Sequence, residues 1–260
     1  MKNILEVREA TKKFGGLIAN ENITFDVEEG EIVGVVGPNG AGKTTLFNSI
    51  SGAHNLTSGS VTFDGQDITM MKAHEISKLG IGRTFQIPQS LNDMFVWENV
   101  LVGALCRTDK MDEAMEIVNK TLDLCSLTDK KDMIAGKLNV AQKKRLEIAR
   151  AMATQPKLLL LDETMAGLTA TERKEAVELI KKINAGGVAI LTIEHNMDVV
   201  MAVSHRVVVL VSGKFLMCGS PEEVTSNPEV ISAYLGGSAK VEVPSQPDTM
   251  GEGKEEEEDV

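Results

Sequence analysis

Gly37-Pro38-Asn39-Gly40-Ala41-Gly42-Lys43-Thr44 decides how the rest of the chain is read. It is preceded by Ile32 to Val36, a run apolar enough for a buried strand. It is followed by Leu46 to Ser51, whose apolar spacing is helical. A glycine-rich turn between strand and helix gathers backbone N–H groups and a helix N-terminus around one point, which suits anionic phosphates. Glycines let the main chain approach without Cβ clashes. In G-x-x-x-x-G-K-[ST] the lysine, here Lys43, reaches the β- and γ-phosphates, and the Thr44 hydroxyl ligates Mg²⁺. Thr45, next in the chain, completes the expected phosphate-binding set of residues 37–45.

Splitting a triphosphate also requires a metal-side carboxylate and a group to handle water. Leu158-Leu159-Leu160-Leu161-Asp162-Glu163 supplies both: a fully apolar strand, Asp162 for Mg²⁺, and Glu163 to polarise the attacking water. Ile23 to Val27 alternates as a half-buried strand, and Ser60 to Phe63, Ala189 to Ile193 and Val207 to Val211 are further strands. Between Trp97 and Ala153 the pattern is helical, clearest over Met111 to Leu127. Strands alternating with helices predict an α/β chain with a mainly parallel sheet and a helical insert between two of its strands.

Composition sets the outer limits. The chain has 260 residues, 42% hydrophobic and 25% charged, with seven Phe, one Trp and one Tyr, so Val, Ile, Leu, Met and Ala must build the core. A net charge of −11 argues against a broad nucleic-acid surface, and no nucleic acid is expected as a partner. Cys106, Cys125 and Cys218 stand too far apart for a metal knuckle, and their odd number fits a reducing compartment. The charged start at Met1 to Glu9 is unlike a secretory leader, and no 18-residue apolar run occurs. Residues 236–260 hold eight acidic residues against Lys240 and Lys254 and are expected to be a disordered acidic tail.

Taken together these residues resemble the ATP-binding-cassette (ABC) ATPases over about residues 4–235. In Arg83-Thr84-Phe85-Gln86, Gln86 resembles the family's Q-loop glutamine, a metal and water ligand that senses the partner domain. Leu138-Asn139-Val140-Ala141-Gln142 stands at the signature position, followed by a helix expected over Lys143 to Ala153. Ala166-Gly167-Leu168-Thr169 resembles the D-loop, and His195 the switch histidine that contacts the γ-phosphate. Phe14 lies where the family places a ring on the adenine. The implied fold is a P-loop ABC core with an antiparallel β subdomain and a helical subdomain of about residues 88–154.

Lys13-Phe14-Gly15-Gly16-Leu17, Gly82 to Gln86, Arg145 to Ala151, Ile193 to Met197 and Asn227 to Gly236 are most similar to ATP-binding subunits of branched-chain amino acid importers. Relatives of these move other small organic solutes. The resemblance implies ATP and Mg²⁺ as ligands, and a head-to-tail dimer with a second cassette, identical or paralogous. Asn139, Val140, Ala141 and Gln142 would then complete the partner's site. It also implies transmembrane permease subunits, contacted through Gln86 to Trp97 with Phe95 and Trp97 prominent, and a peripheral place at the cytoplasmic face of the membrane. Two departures favour a slow or specialised ATPase: Asn139, Val140 and Ala141 replace the signature serine and glycines, and Thr164 replaces a proline. A nucleotide-binding regulator with little hydrolysis and a soluble ABC protein outside transport are the alternatives.

Overall fold

The computed structural model describes residues 2–85 and 90–235. Gln86 and the acidic tail therefore lie outside the described residues. The strands are β1 (Asn3–Phe14), β2 (Leu17–Glu28), β3 (Ile32–Val36), β4 (Ser58–Phe63), β5 (Gln66–Asp67), β6 (Ile81–Arg83), β7 (Leu158–Asp162), β8 (Ala189–Ile193), β9 (Arg206–Val211) and β10 (Lys214–Gly219). They form one sheet in the order β5-β4-β1-β2-β10-β9-β3-β8-β7-β6. From β9 to β6 the pairing is parallel; β5, β4, β1 and β2 pair antiparallel. The two parts meet where β10, antiparallel to β9, touches β2 at Lys214 and Glu21.

Period-two alternation sorts the apolar runs onto two faces. Leu158 and Leu160 of β7 join the core that holds Val33, Val35, Leu46 and Phe47. Leu159 and Leu161 join the core of the helical side. Because β3, β7 and β8 are buried at every position, they read as nearly continuous apolar runs, interrupted only by Thr192 in β8 and closed by Asp162 in β7. In β2, Ile23, Phe25 and Val27 are buried while Thr24 is exposed, as its alternating pattern requires.

The helices are α1 (Lys43–Ile50), α2 (Ala73–Leu79), α3 (Val96–Ala104), α4 (Met111–Leu124), α5 (Val140–Ala153), α6 (Ala170–Ala185), α7 (Met197–Val203), α8 (Pro221–Ser226) and α9 (Pro228–Leu235). The chain from β6 to β7 carries α3, α4 and α5, the insert the pattern predicts. At Gly103 of α3 a Cβ would stand 2.4 Å from the Arg150 carbonyl oxygen, so glycine permits the close approach of α3 to α5. α5 begins at Val140, three residues earlier than expected, because Asn139 caps it: Oδ1 accepts from the Gln142 N–H at 2.9 Å. The Asn139 N–H donates back to Gln142 Oε1 at 3.1 Å, completing a capping box. All three cysteines are free, with Cys125 buried.

Candidate nucleotide site

The turn from β3 into α1 is held by its own lysine. Lys43 is buried, and its Nζ donates to the carbonyl oxygens of Gly37 at 2.6 Å and Pro38 at 3.1 Å. Burial lowers its pKa, and the nearby charges of Glu163 and Asp162 oppose that shift. Gly42 has φ 91°, and a Cβ there would lie 2.4 Å from both the Ala19 carbonyl oxygen and Asn20 Nδ2. The loop thus packs against β2 in a way only glycine allows.

A cleft of about 330 Å³ opens over this turn, lined by residues 39–45, by Leu17, Ile18 and Ala19 of β2, and by Glu163 and His195. It brings together three stretches the sequence analysis singled out. Phe14 is not in the lining. The β1–β2 turn at Gly15, with φ 57°, leaves its ring edge-on to His54 at 5.5 Å, with Lys12 Nζ 4.9 Å from its centroid. Leu17 and Ile18 form the apolar wall instead.

Asp162 ends β7 with 1% exposure. Its Oδ2 accepts from Arg83 Nη2 at 3.3 Å, whereas Oδ1 is buried with no partner. Burial raises its pKa and the Arg83 guanidinium lowers it. Among the described residues no group of three His, Cys, Asp or Glu could hold a metal alone. A lone carboxylate oxygen and the exposed Thr44 hydroxyl are hard donors of the kind Mg²⁺ takes beside substrate phosphates. The residues fit that ion.

Glu163 follows at φ 49°, a left-handed conformation uncommon outside glycine. Its Oε1 lies 2.6 Å from His195 Nε2. Its N–H donates to the Ile193 carbonyl at 2.9 Å, and its own carbonyl accepts from Lys144 Nζ at 3.2 Å. Beneath the pair lies Glu194, 3% exposed, whose pKa burial pushes up to about 7. Thr164 is buried, and its hydroxyl donates to Glu194 Oε1 at 3.4 Å.

Asn139, Val140, Ala141 and Gln142 do not line the cleft of their own chain. Val140 is 58% exposed at the α5 N-terminus, while Ala141 is buried. Thr169 of the D-loop caps α6. Arg83 escaped a role in the sequence reading, yet it joins two places. Its Nη1 donates to Ser51 Oγ at 2.6 Å and its Nη2 to Asp162, while its guanidinium lies 5.2 Å from the Phe85 ring. Phe85, Val102 and Cys106 line a second groove, of about 320 Å³, bounded by α2, β6, α3 and α5. Trp97, expected at a partner contact, packs partly buried against the helical core; Phe95 is exposed.

A family model described as ABC transporter matches residues 20–166, and one described as branched-chain amino acid ATP-binding cassette transporter matches residues 216–240. The high-affinity branched-chain amino acid transport ATP-binding protein BraF of Pseudomonas aeruginosa is 40% identical, over 90% of this chain and 98% of its own. The corresponding protein LivG of Escherichia coli is 38% identical over 90% and 98%. Among solved structures, the ADP conformation of an ATP-binding cassette of an ABC transporter superposes with a TM-score of 0.82 at 32% identity, over 91% of this chain and 100% of that one. With a phosphate loop, Glu163 and a facing histidine in one cleft, Asp162 buried next to Glu163 at the end of β7, and relatives this similar over nine-tenths of its length, the chain belongs to the ABC transporter family of ATP-binding cassettes.

Proposed function

We propose that the chain is the ATP-hydrolysing subunit of an importer for branched-chain amino acids or a related small organic solute. The observation that carries this is the Glu163–His195 pair, 2.6 Å apart across the cleft from the Lys43 loop. The similarity to BraF and LivG and the matched residues 216–240 supply the solute class. Residues 1–235 are the cassette, with its helical part at about 88–154, and 236–260 are an acidic extension.

In this reading Lys43 exchanges its loop carbonyls for the β- and γ-phosphate oxygens, and the first turn of α1 receives them with its N–H groups. The adenine packs against Leu17 and Ile18, in the place expected of Phe14. Thr44 and Asp162, with Gln86 from outside the described residues, hold Mg²⁺, which when bound neutralises charge on the phosphates. Glu163 accepts the proton of the attacking water, and His195 orients Glu163 and faces the γ-phosphate. A second cassette, bound head to tail, brings its own Asn139 to Gln142 against that phosphate. The apolar groove of Phe85 and Val102 receives membrane-embedded subunits. Among the described residues no helix is long and apolar enough to cross a membrane itself, which agrees with a peripheral place.

Glu163→Gln keeps the shape and the hydrogen bond to His195 but removes the base. Turnover should fall ~10²–10⁴-fold while ATP binding persists, measured by steady-state hydrolysis and by nucleotide retention. Unchanged hydrolysis would reject the assignment. Turnover too low to respond to the substitution, with ATP still bound, would favour the regulator reading that the altered signature keeps open.

A further inference from the structure

Glu163 holds a backbone conformation that a residue with a side chain keeps only when its surroundings over-determine it. Those surroundings are unusually regular. Three consecutive residues at the end of β8 each grip the segment after β7. The Ile193 carbonyl takes the Glu163 N–H at 2.9 Å, and His195 Nε2 meets Glu163 Oε1 at 2.6 Å. Between them, Glu194 Oε1 takes both the Met165 N–H at 3.1 Å and the Thr164 hydroxyl at 3.4 Å. From the other side Lys144 of α5, itself buried, donates to the Glu163 carbonyl at 3.2 Å.

Glu194 stands out because neither ordinary use of a carboxylate applies. It is 3% exposed, so it does not line the cleft, and no ion pair within 4 Å is formed by it among the described residues. A buried carboxylate is costly to keep unless its hydrogen bonds are made. Here they are made to the two residues that follow the base. A hydrophobic residue at 194 would fill the space yet leave the Met165 N–H without its acceptor.

We propose that Glu194 is a positioning residue: its Oε1, through Thr164 and Met165, fixes the turn that aims Glu163 at the attacking water. Lys144 completes the clamp and ties the turn to α5, the helix whose N-terminus meets the second cassette. The proposal rests on the reading of Glu163 as the base. It adds that the strained turn is held by a buried acceptor 30 residues away in sequence.

The test compares Glu194→Ala, Glu194→Gln and Thr164→Val in the full chain, with Glu163→Gln alongside. Two readouts are taken: kcat and KM for ATP, and hydrogen–deuterium exchange of the Met165 amide. Glu194→Ala removes the acceptor, so Met165 protection should be lost. kcat should fall tenfold to ~10²-fold, the order that a misplacement of ~1 Å costs, with KM changed less than about threefold. Glu194→Gln retains a carbonyl oxygen at the same reach and should restore both protection and most of kcat. Thr164→Val should lie between.

Unchanged kcat with lost Met165 protection would overturn the proposal, as would Glu194→Gln and Glu194→Ala impaired alike, or a loss confined to KM. If Glu194→Ala does not fold, Glu194→Gln and Thr164→Val decide on the same criteria. If Glu163→Gln leaves turnover intact, the base assignment fails, and Met165 exchange still judges whether Glu194 holds the turn.

Discussion

Replacing Asn139, Val140 and Ala141 together by Ser, Gly and Gly sets stability against turnover at one helix end. Asn139→Ser exchanges one good N-cap for another, so the cap bond to the Gln142 N–H survives and the cost is near zero. Val140 is 58% exposed, so its loss is mainly one of helix propensity, about 0.5 kcal/mol. Ala141 is buried against the helical core, and glycine there loses about 1 kcal/mol of propensity and about 0.8 kcal/mol of methyl burial. The sum, about 2 kcal/mol, corresponds to a fall in Tm of about 4–8 °C for a domain of this size.

Turnover should move the other way. In the proposed head-to-tail dimer the Asn139 Oδ1 stays committed to the cap, so its Nδ2 is the donor left to face a partner's phosphate, and the exposed Val140 side chain stands where that phosphate would approach the first-turn N–H groups. One preorganised donor is worth ~10²-fold or more. Because the helix N-terminus and Nδ2 remain in the natural chain, the gain should be about tenfold. Differential scanning calorimetry and ATP hydrolysis in the assembled transporter read the two quantities. Equal turnover with the lowered Tm would refute the reasoning, showing that the helix end already reaches the phosphate despite the Val140 side chain.

Gly42→Ala should destabilise the chain and abolish nucleotide binding together, because at φ 91° its Cβ would lie 2.4 Å from the Ala19 carbonyl; denaturant midpoint and ATP titration report both. Glu194 should give stability a pH slope. The folded chain keeps its proton to about pH 7, whereas an unfolded carboxyl releases it near 4.5, so the folded state binds more protons between these values. Stability therefore falls as pH rises through that window, by at most roughly 3 kcal/mol, against the charges of Lys144 and Glu163 that face it. Glu194→Gln should flatten this part of the curve in denaturant titrations at pH 5 and pH 8.

Of the parallel strands, β3, β7, β8 and β9 were legible because burial on both faces makes them nearly continuous apolar runs, and the phosphate loop because its chemistry is contiguous. β1 was not: its burial loses alternation around Glu9, at φ 48°, where the pairing register with β2 shifts. β6 has three residues, too few to show a period. The start of α5 is carried by Asn139 and Gln142 at capping-box spacing, a signal that the expected helix start at Lys143 leaves unused. Asp162, Glu163 and His195 were legible as strand-end residues. Arg83, Lys144 and Glu194 were not, because each acts on a segment 19 to 79 residues distant. Phe14 and Leu17 are both apolar residues beside one turn, and only the turn decides which faces the cleft.

The left-handed backbone at Glu163 bears on how such a chain drifts under mutation. Glycine, asparagine or aspartate would occupy φ 49° with less strain than glutamate. A lineage that had stopped splitting ATP would gain stability by accepting any of them, and most such replacements are a step or two away by chance. Glutamate at this position thus keeps its carboxylate at the cost of backbone strain, and Glu163→Gly is expected to raise stability as it removes the base.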